Sequence, residues 1–156
     1  MTVIRKGSVE TVRHESRYPA PHTLPGHLEW EPLSDAGGLT QFGAAHETLL
    51  PGTQSSLMHW ESDEDEFLYM LEGRLTVIED GAQTEIGPGD ACAWKAGVAV
   101  GHCLRNDSDA PARYLIVGSR RRETNVATYP GLDLLATPEG FTRLDGTPYP
   151  KKDTSS

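Results

Sequence analysis

No stretch of this 156-residue chain approaches the ~20 consecutive apolar residues of a membrane-spanning helix, so no membrane partner is expected. The opening MTVIRKGSVETVRHE lacks the apolar segment of a secretory signal, and the chain reads as cytoplasmic. Cysteine is scarce. Cys92 and Cys103 are too few for a disulfide framework and suit a reducing compartment. Positive charge is also short: 14 Lys and Arg stand against 23 Asp and Glu, a net charge of -9, which argues against a surface for nucleic acid or anionic lipid. Internal repeats, low-complexity segments and a sustained helical period are absent. The length fits one domain around a single hydrophobic core.

What is present is glycine and proline at short intervals, separated by alternating runs rich in Val, Ile, Leu, Thr, Tyr and Trp, the pattern of antiparallel β-structure. The clearest hairpin is GRLTVIED-GA-QTEIGPGD, with Asp80-Gly81 as the positive-φ turn that a right-twisted strand pair prefers. Further strands are expected at 38–49, 55–61, 66–71, 91–95, 101–105 and 112–119. So many short strands point to a sandwich or barrel rather than to βαβ units. Residues 1–30 hold too many prolines for a helix and read as an arm along a barrel of residues 31–122. Residues 123–156 read as an irregular tail packed on that barrel, with a short helical turn possible at 132–136.

The chemistry lies in two glycine-framed segments. The first runs from Gly52 through His59, Glu61 and Glu66 to Gly73; the second runs from Gly89 through Lys95, Gly97 and His102 to Asn106. Imidazole nitrogen and carboxylate oxygen are the donors that hold divalent iron, manganese, nickel or zinc. On a strand, residues two apart share a face, so His59 and Glu61 point one way and Trp60 the other. By the same parity Glu66 shares its face with Leu68 and Met70, and Cys103 lies opposite His102.

These two segments, their order and the hairpin between them resemble the signature of the cupin superfamily over Gly52 to Asn106. Within it the chain is similar to small single-domain bacterial proteins that share the run around His59–Glu66 and a late Asp-Gly-Thr-Pro-Tyr, some of them described as sugar-phosphate isomerases. The resemblance implies an all-β double-stranded β-helix, the cupin jelly-roll barrel. It places the family's first metal histidine on His59, its glutamate on Glu66 and its last histidine on His102, while its second histidine falls on Glu61 and the usual proline of the second segment on Lys95. A set of two histidines and two glutamates would neutralise a divalent cation and favours Fe(II) or Mn(II), with Zn or Ni also open. Counted differently, His59, Glu61 and His102 have the form of a 2-His-1-carboxylate facial triad, which leaves positions for oxygen and substrate and makes Glu66 a fourth ligand or a nearby base.

Glu61 and Glu66 are therefore the candidate catalytic residues, and His59, Glu61, Glu66 and His102 the candidate ligands of a divalent metal ion. Arg113 is a candidate for a substrate carboxylate. Three functions follow: oxidative chemistry on a small polar metabolite, isomerisation or epimerisation of a sugar or sugar phosphate with Arg74, Lys95, Arg105 or Arg113 as phosphate partners, and a non-catalytic module that binds a metabolite or metal. A homodimer joined through the arm is the expected assembly. Plainer roles are expected elsewhere. Asp63, Glu64 and Asp65 read as a solvated loop, and His14, His22, His27 and His46 as surface or hydrogen-bonding residues. Cys103 reads as a small buried hydrophobe, Trp60, Phe67, Tyr69 and Trp94 as packing or interface residues, and Asn106 as a turn residue.

Overall fold

The structure, a computed structural model, describes residues 3–14, 16–24 and 28–150, the side chain of His14 excepted. Its strands are β1 (Val12–His14), β2 (Leu28–Glu31), β3 (Phe42–Leu49), β4 (Trp60–Glu61), β5 (Glu66–Glu72), β6 (Leu75–Glu79), β7 (Ala82–Ile86), β8 (Ala91–Trp94), β9 (His102–Arg105), β10 (Ala112–Ser119), β11 (Ala127–Thr128), β12 (Leu135–Thr137) and β13 (Gly140–Thr142). One short helix, α1 (Leu33–Ala36), was not expected from the sequence. A six-stranded sheet runs β1-β2-β3-β10-β5-β8, a three-stranded sheet β7-β6-β9, and a four-stranded sheet β13-β12-β11-β4. No helix among the described residues is long and apolar enough to cross a membrane.

Alternation decides which side chains meet. On β5, Leu68 and Met70 are fully buried while Phe67, Tyr69 and Leu71 stay exposed, the parity expected from Glu66 onward. Leu49, Leu68, Met70, Ala112 and Tyr114 of the large sheet pack on Leu75, Val77, Ile86 and Leu104 of the three-stranded sheet, and these two layers enclose the main core. The hairpin is as expected: Asp80 and Gly81 both take positive φ, 45° and 80°, between β6 and β7. Gly73 is required by its surroundings, since a Cβ there would stand 2.9 Å from the Ala112 Cα.

Two expectations are corrected. Residues 55–58 are not strand; only Trp60–Glu61 is, preceded by isolated bridges at Gln54 and His59. Serine side chains explain this, because Ser55 Oγ accepts the Leu104 N–H at 3.0 Å and so takes a place that a ladder bond would fill. The helical turn expected at 132–136 is a turn leading into β12, which pairs with β11 and β13, so the tail contributes strands to a sheet. The arm and tail also make a second apolar cluster of Tyr18, Ala127, Tyr129, Leu134 and Tyr149 with Leu24, Leu57 and Phe141 around it. The arm residues 16–24 thus pack on their own chain.

Asn106 is a turn residue with a structural task. Fully buried, it donates to the Leu49 and Ala110 carbonyls at 2.8 Å each and accepts from the Ser108 N–H and hydroxyl. Asn106→Ala would strand these buried partners. We expect a loss of about 2 kcal/mol in urea unfolding, and a variant as stable as the parent would show that water replaces the amide.

Candidate metal centre

His59 and His102 come together through the backbone. The His59 N–H donates to the His102 carbonyl at 3.1 Å and the His102 N–H returns a bond to the His59 carbonyl at 2.9 Å, a bridge between the end of the 55–58 bend and the start of β9. This sets the rings side by side, centroids 5.0 Å apart. Gly101 makes room for the approach, as a Cβ there would meet Met58 at 2.9 Å and Pro130 at 3.0 Å. Glu66, first residue of β5, enters from the large sheet.

The three side chains converge. One ligand atom from each of His59, Glu66 and His102 lies within 4.8 Å of the others. Glu66 Oε2 is 3.0 Å from His102 Nε2 and 3.9 Å from His59 Nε2. Yet Glu66 Oε2 is buried without a partner in hydrogen-bond alignment, a costly state for a carboxylate oxygen and one that a cation between the three groups would relieve. The tautomer of His59 suits the same purpose: Nδ1 donates to the Leu57 carbonyl at 2.9 Å, which leaves the Nε2 lone pair free for an ion. Trp94 stacks on the His102 ring at 4.0 Å and 7° and holds its plane. Burial raises the Glu66 carboxyl, but contact with His102 and the charges of His59 and His102 outweigh it and leave the pKa below the usual value. The donor set and its geometry fit a divalent metal.

Glu61 stands beside this triad and outside it. Its Oε1 is 3.8 Å from His59 Nε2, as shared strand parity requires, but its Oε2 accepts a 2.5 Å bond from the Asn125 amide just before β11. Arg113 is elsewhere: nearly half exposed, it donates to Glu72 at 2.8 Å on the opposite face of β10 from the buried Tyr114, so the substrate contact expected of it is not where the structure places it. Arg74 and Arg105 likewise pair outside with Glu85 and Asp107. Lys95 lines a 200 Å³ cavity that reaches Glu66 and His102 from one side together with Glu61, Glu64 and Glu79.

A second cavity of 280 Å³ reaches the same residues from the other side. It is walled by Trp30, Glu47, Trp94, Tyr114 and Ile116, with Arg17 and Tyr18 of the arm bordering it. Sequence reading passed over Glu47, whose signal was an acidic residue in inward register with Ala45 and Leu49. Burial pushes its carboxyl up to about 7, the Tyr114 hydroxyl holds it back, and the charge of Glu66 adds to the rise. Asn125 also gave no sign at the sequence level.

Among the plainer expectations, His22 bonds Tyr149 and His46 pairs with Glu31, while His27 and the side chain of His14 lie outside the described residues. Cys103 is buried, where desolvation raises its thiol. The acidic loop is held in place rather than merely solvated: Asp65 accepts the Ala96 N–H at 2.8 Å, Glu64 accepts the Arg121 N–H at 2.5 Å, and Thr124 donates to Asp63.

Known proteins share this fold. The cupin domain family model matches residues 45–118. A crystal structure from Silicibacter pomeroyi DSS-3, described as a sugar phosphate isomerase from a cupin superfamily, is 37% identical over 96% of this chain and 97% of its own, with a TM-score of 0.85. One from Acidithiobacillus ferrooxidans, described as a putative sugar phosphate isomerase, is 27% identical over 76% of each chain, TM-score 0.70. A predicted oxalate decarboxylase from Thermotoga maritima shares the fold at 23% identity, over 76% of this chain and 98% of its own, with a TM-score of 0.63. No curated protein matches. With its two facing sheets, its histidine bridge and a full-length relative at this identity, the chain belongs to the cupin superfamily.

Proposed function

We propose that this protein is a divalent-metal enzyme that isomerises or epimerises a small hydroxylated carbonyl compound. The observation that carries the reading is the convergence of His59, Glu66 and His102 on one point between two cavities. These three residues would hold the ion, Fe(II) or Mn(II) by preference for a site with a carboxylate donor, and a metal bound there supplies Lewis-acid polarisation of a substrate oxygen. The chain's own residues do the rest. Trp30, Trp94, Tyr114 and Ile116 exclude bulk water, so that charge on the substrate is little screened. Glu61, anchored by Asn125, stands ready beside His59 as a fourth ligand or a base. The description of the Silicibacter pomeroyi relative supports sugar chemistry. Arg17 borders the larger cavity and Lys95 the smaller, and either can meet a phosphate.

Oxidative chemistry is the second reading, favoured by one observation: the triad is a 2-His-1-carboxylate set, with Glu66 rather than Glu61 as the carboxylate. Elemental analysis of untagged protein, followed by a panel of aldose and ketose phosphates and by oxygen-uptake measurements with small acids, separates the two. We expect about one equivalent of metal and interconversion of at least one sugar phosphate. Oxygen uptake without interconversion would transfer the assignment to the second reading, and a protein that takes up no metal would remove both.

A further inference from the structure

We propose that Glu47 is the proton-transfer residue of the larger cavity, removing and returning a proton at the carbon beside the carbonyl of an α-hydroxy carbonyl compound. This rests on the metal-centre reading above and names the group that works opposite the metal. Glu47 lies on β3 in inward register with Ala45 and Leu49, on a sheet face otherwise given to apolar packing. Its direct cross-strand neighbours are Trp30 on β2 and Tyr114 on β10. All three line the cavity that His59, Glu66 and His102 also line.

A carboxyl in such a place is unfavourable for packing, and the Tyr114 hydroxyl offsets only part of the cost of its burial. The titratable groups that share this cavity with it are Tyr114, Glu66, His59, His102, Tyr18 and Arg17, and a neighbouring hollow that Glu47 also lines holds Asp35, Glu64, Arg120 and Arg122. Of these, Tyr114 and Glu66 dominate its electrostatic surroundings, and no basic side chain contributes to them. The Tyr114 hydroxyl stands next to Glu47 and is buried without a well-aligned hydrogen bond, so this corner holds a polar group that a ligand oxygen could satisfy. At 280 Å³ the cavity is at the small end of the ~300–1,000 Å³ range of ligand sites, and one small molecule filling it touches both the triad and the opposite wall. An acid poised near neutrality can both take and give a proton.

The step balances without a further reactant. The Glu47 carboxylate takes the proton of the C–H next to the carbonyl, the electron pair of that bond becomes the C=C of an enediol, and the carbonyl oxygen takes up the charge. Return of the proton to the neighbouring carbon, with transfer of a hydroxyl proton between the two oxygens, completes an aldose–ketose exchange. Return to the same carbon exchanges hydrogen with solvent or inverts the centre.

The test uses dihydroxyacetone in D2O with protein loaded with Mn(II) or, for NMR line width, with Zn(II), and follows loss of the methylene proton signal. Metal content and thermal midpoint are read on the same samples. We expect wild type to exchange faster than buffer, Glu47→Gln to lose about 100-fold or more of that rate with its metal content intact, and Glu47→Asp to fall between them. Glu47→Gln exchanging as fast as wild type with metal bound, or loaded wild type exchanging no faster than buffer, overturns the proposal alone. A protein that binds none of the added metal overturns the metal-centre reading and this proposal with it.

Discussion

Replacing His102 by alanine is expected to weaken metal binding by at least ~100-fold, more than the 10–100-fold typical of losing a group that only orients a ligand. His102 is one of the three mutually close donors, 5% exposed, and its Nε2 approaches Glu66 Oε2 to 3.0 Å. Removing the ring leaves two donors and a buried Glu66 oxygen facing a void. Glu61→Gln is the contrasting variant. Since Asn125 already occupies one oxygen of Glu61, we expect a loss of about 10-fold or less. Competition with a chromophoric chelator measures both. Equal losses for the two variants would make Glu61 a ligand of the same standing, and metal retained by His102→Ala would place the site elsewhere.

Glu47→Gln is expected to stabilise the metal-free protein at alkaline pH and to leave it unchanged in acid. The Glu47 carboxyl is raised from 4.5 to about 7 in the folded chain. Below the lower value both folded and unfolded chains hold the proton. Between the two the unfolded chain releases it and the folded chain keeps it, so stability falls as pH rises, and above about 7 the penalty is complete. That interval corresponds to about 3 kcal/mol at most, and water entering the cavity reduces it. Glu66 is shifted the other way and loses its contribution as pH falls; since its charge raises Glu47, removing the Glu47 charge also eases Glu66, which adds to the gain of the variant at alkaline pH. Urea unfolding of chelator-treated wild type and variant at pH 5 and pH 8 supplies the measurement. A difference in stability that is the same at both pH values would mean that Glu47 titrates normally.

Much of the frame was legible because it depends on short-range rules. Alternation put Leu68 and Met70 on the face of Glu66, where they are buried, while Phe67 and Tyr69, expected as packing or interface residues, are exposed on the other; two positive-φ residues in a row marked the β6–β7 turn. The triad was legible too, since His59, Glu66 and His102 sit at recognisable spacings. What escaped depends on partners far along the chain. Asn125, which restrains Glu61, is 64 residues away from it. Ser55 abandoned the expected strand for a bond to Leu104, 49 residues on. Trp94 was read as packing, and only the fold shows that the ring it packs on is that of His102. Arg113 stands apart from the triad for a local reason: one residue from Tyr114, it faces the other side of β10 and pairs with Glu72.

The cluster of arm and tail has a consequence for how the site is supported. The Tyr18 hydroxyl accepts the Leu57 N–H, the Leu57 carbonyl fixes the tautomer of His59, and the Tyr129 ring stands 5.8 Å from the His59 ring, with Phe141 and Tyr149 closing the cluster behind. Tyr18 precedes the three donors in the chain and Tyr129 follows the last of them, so the contacts that steady His59 are drawn from both sides of the barrel sequence. A stop codon just ahead of Tyr129 is therefore expected to leave every ligand in the chain while removing the ring that stands against His59.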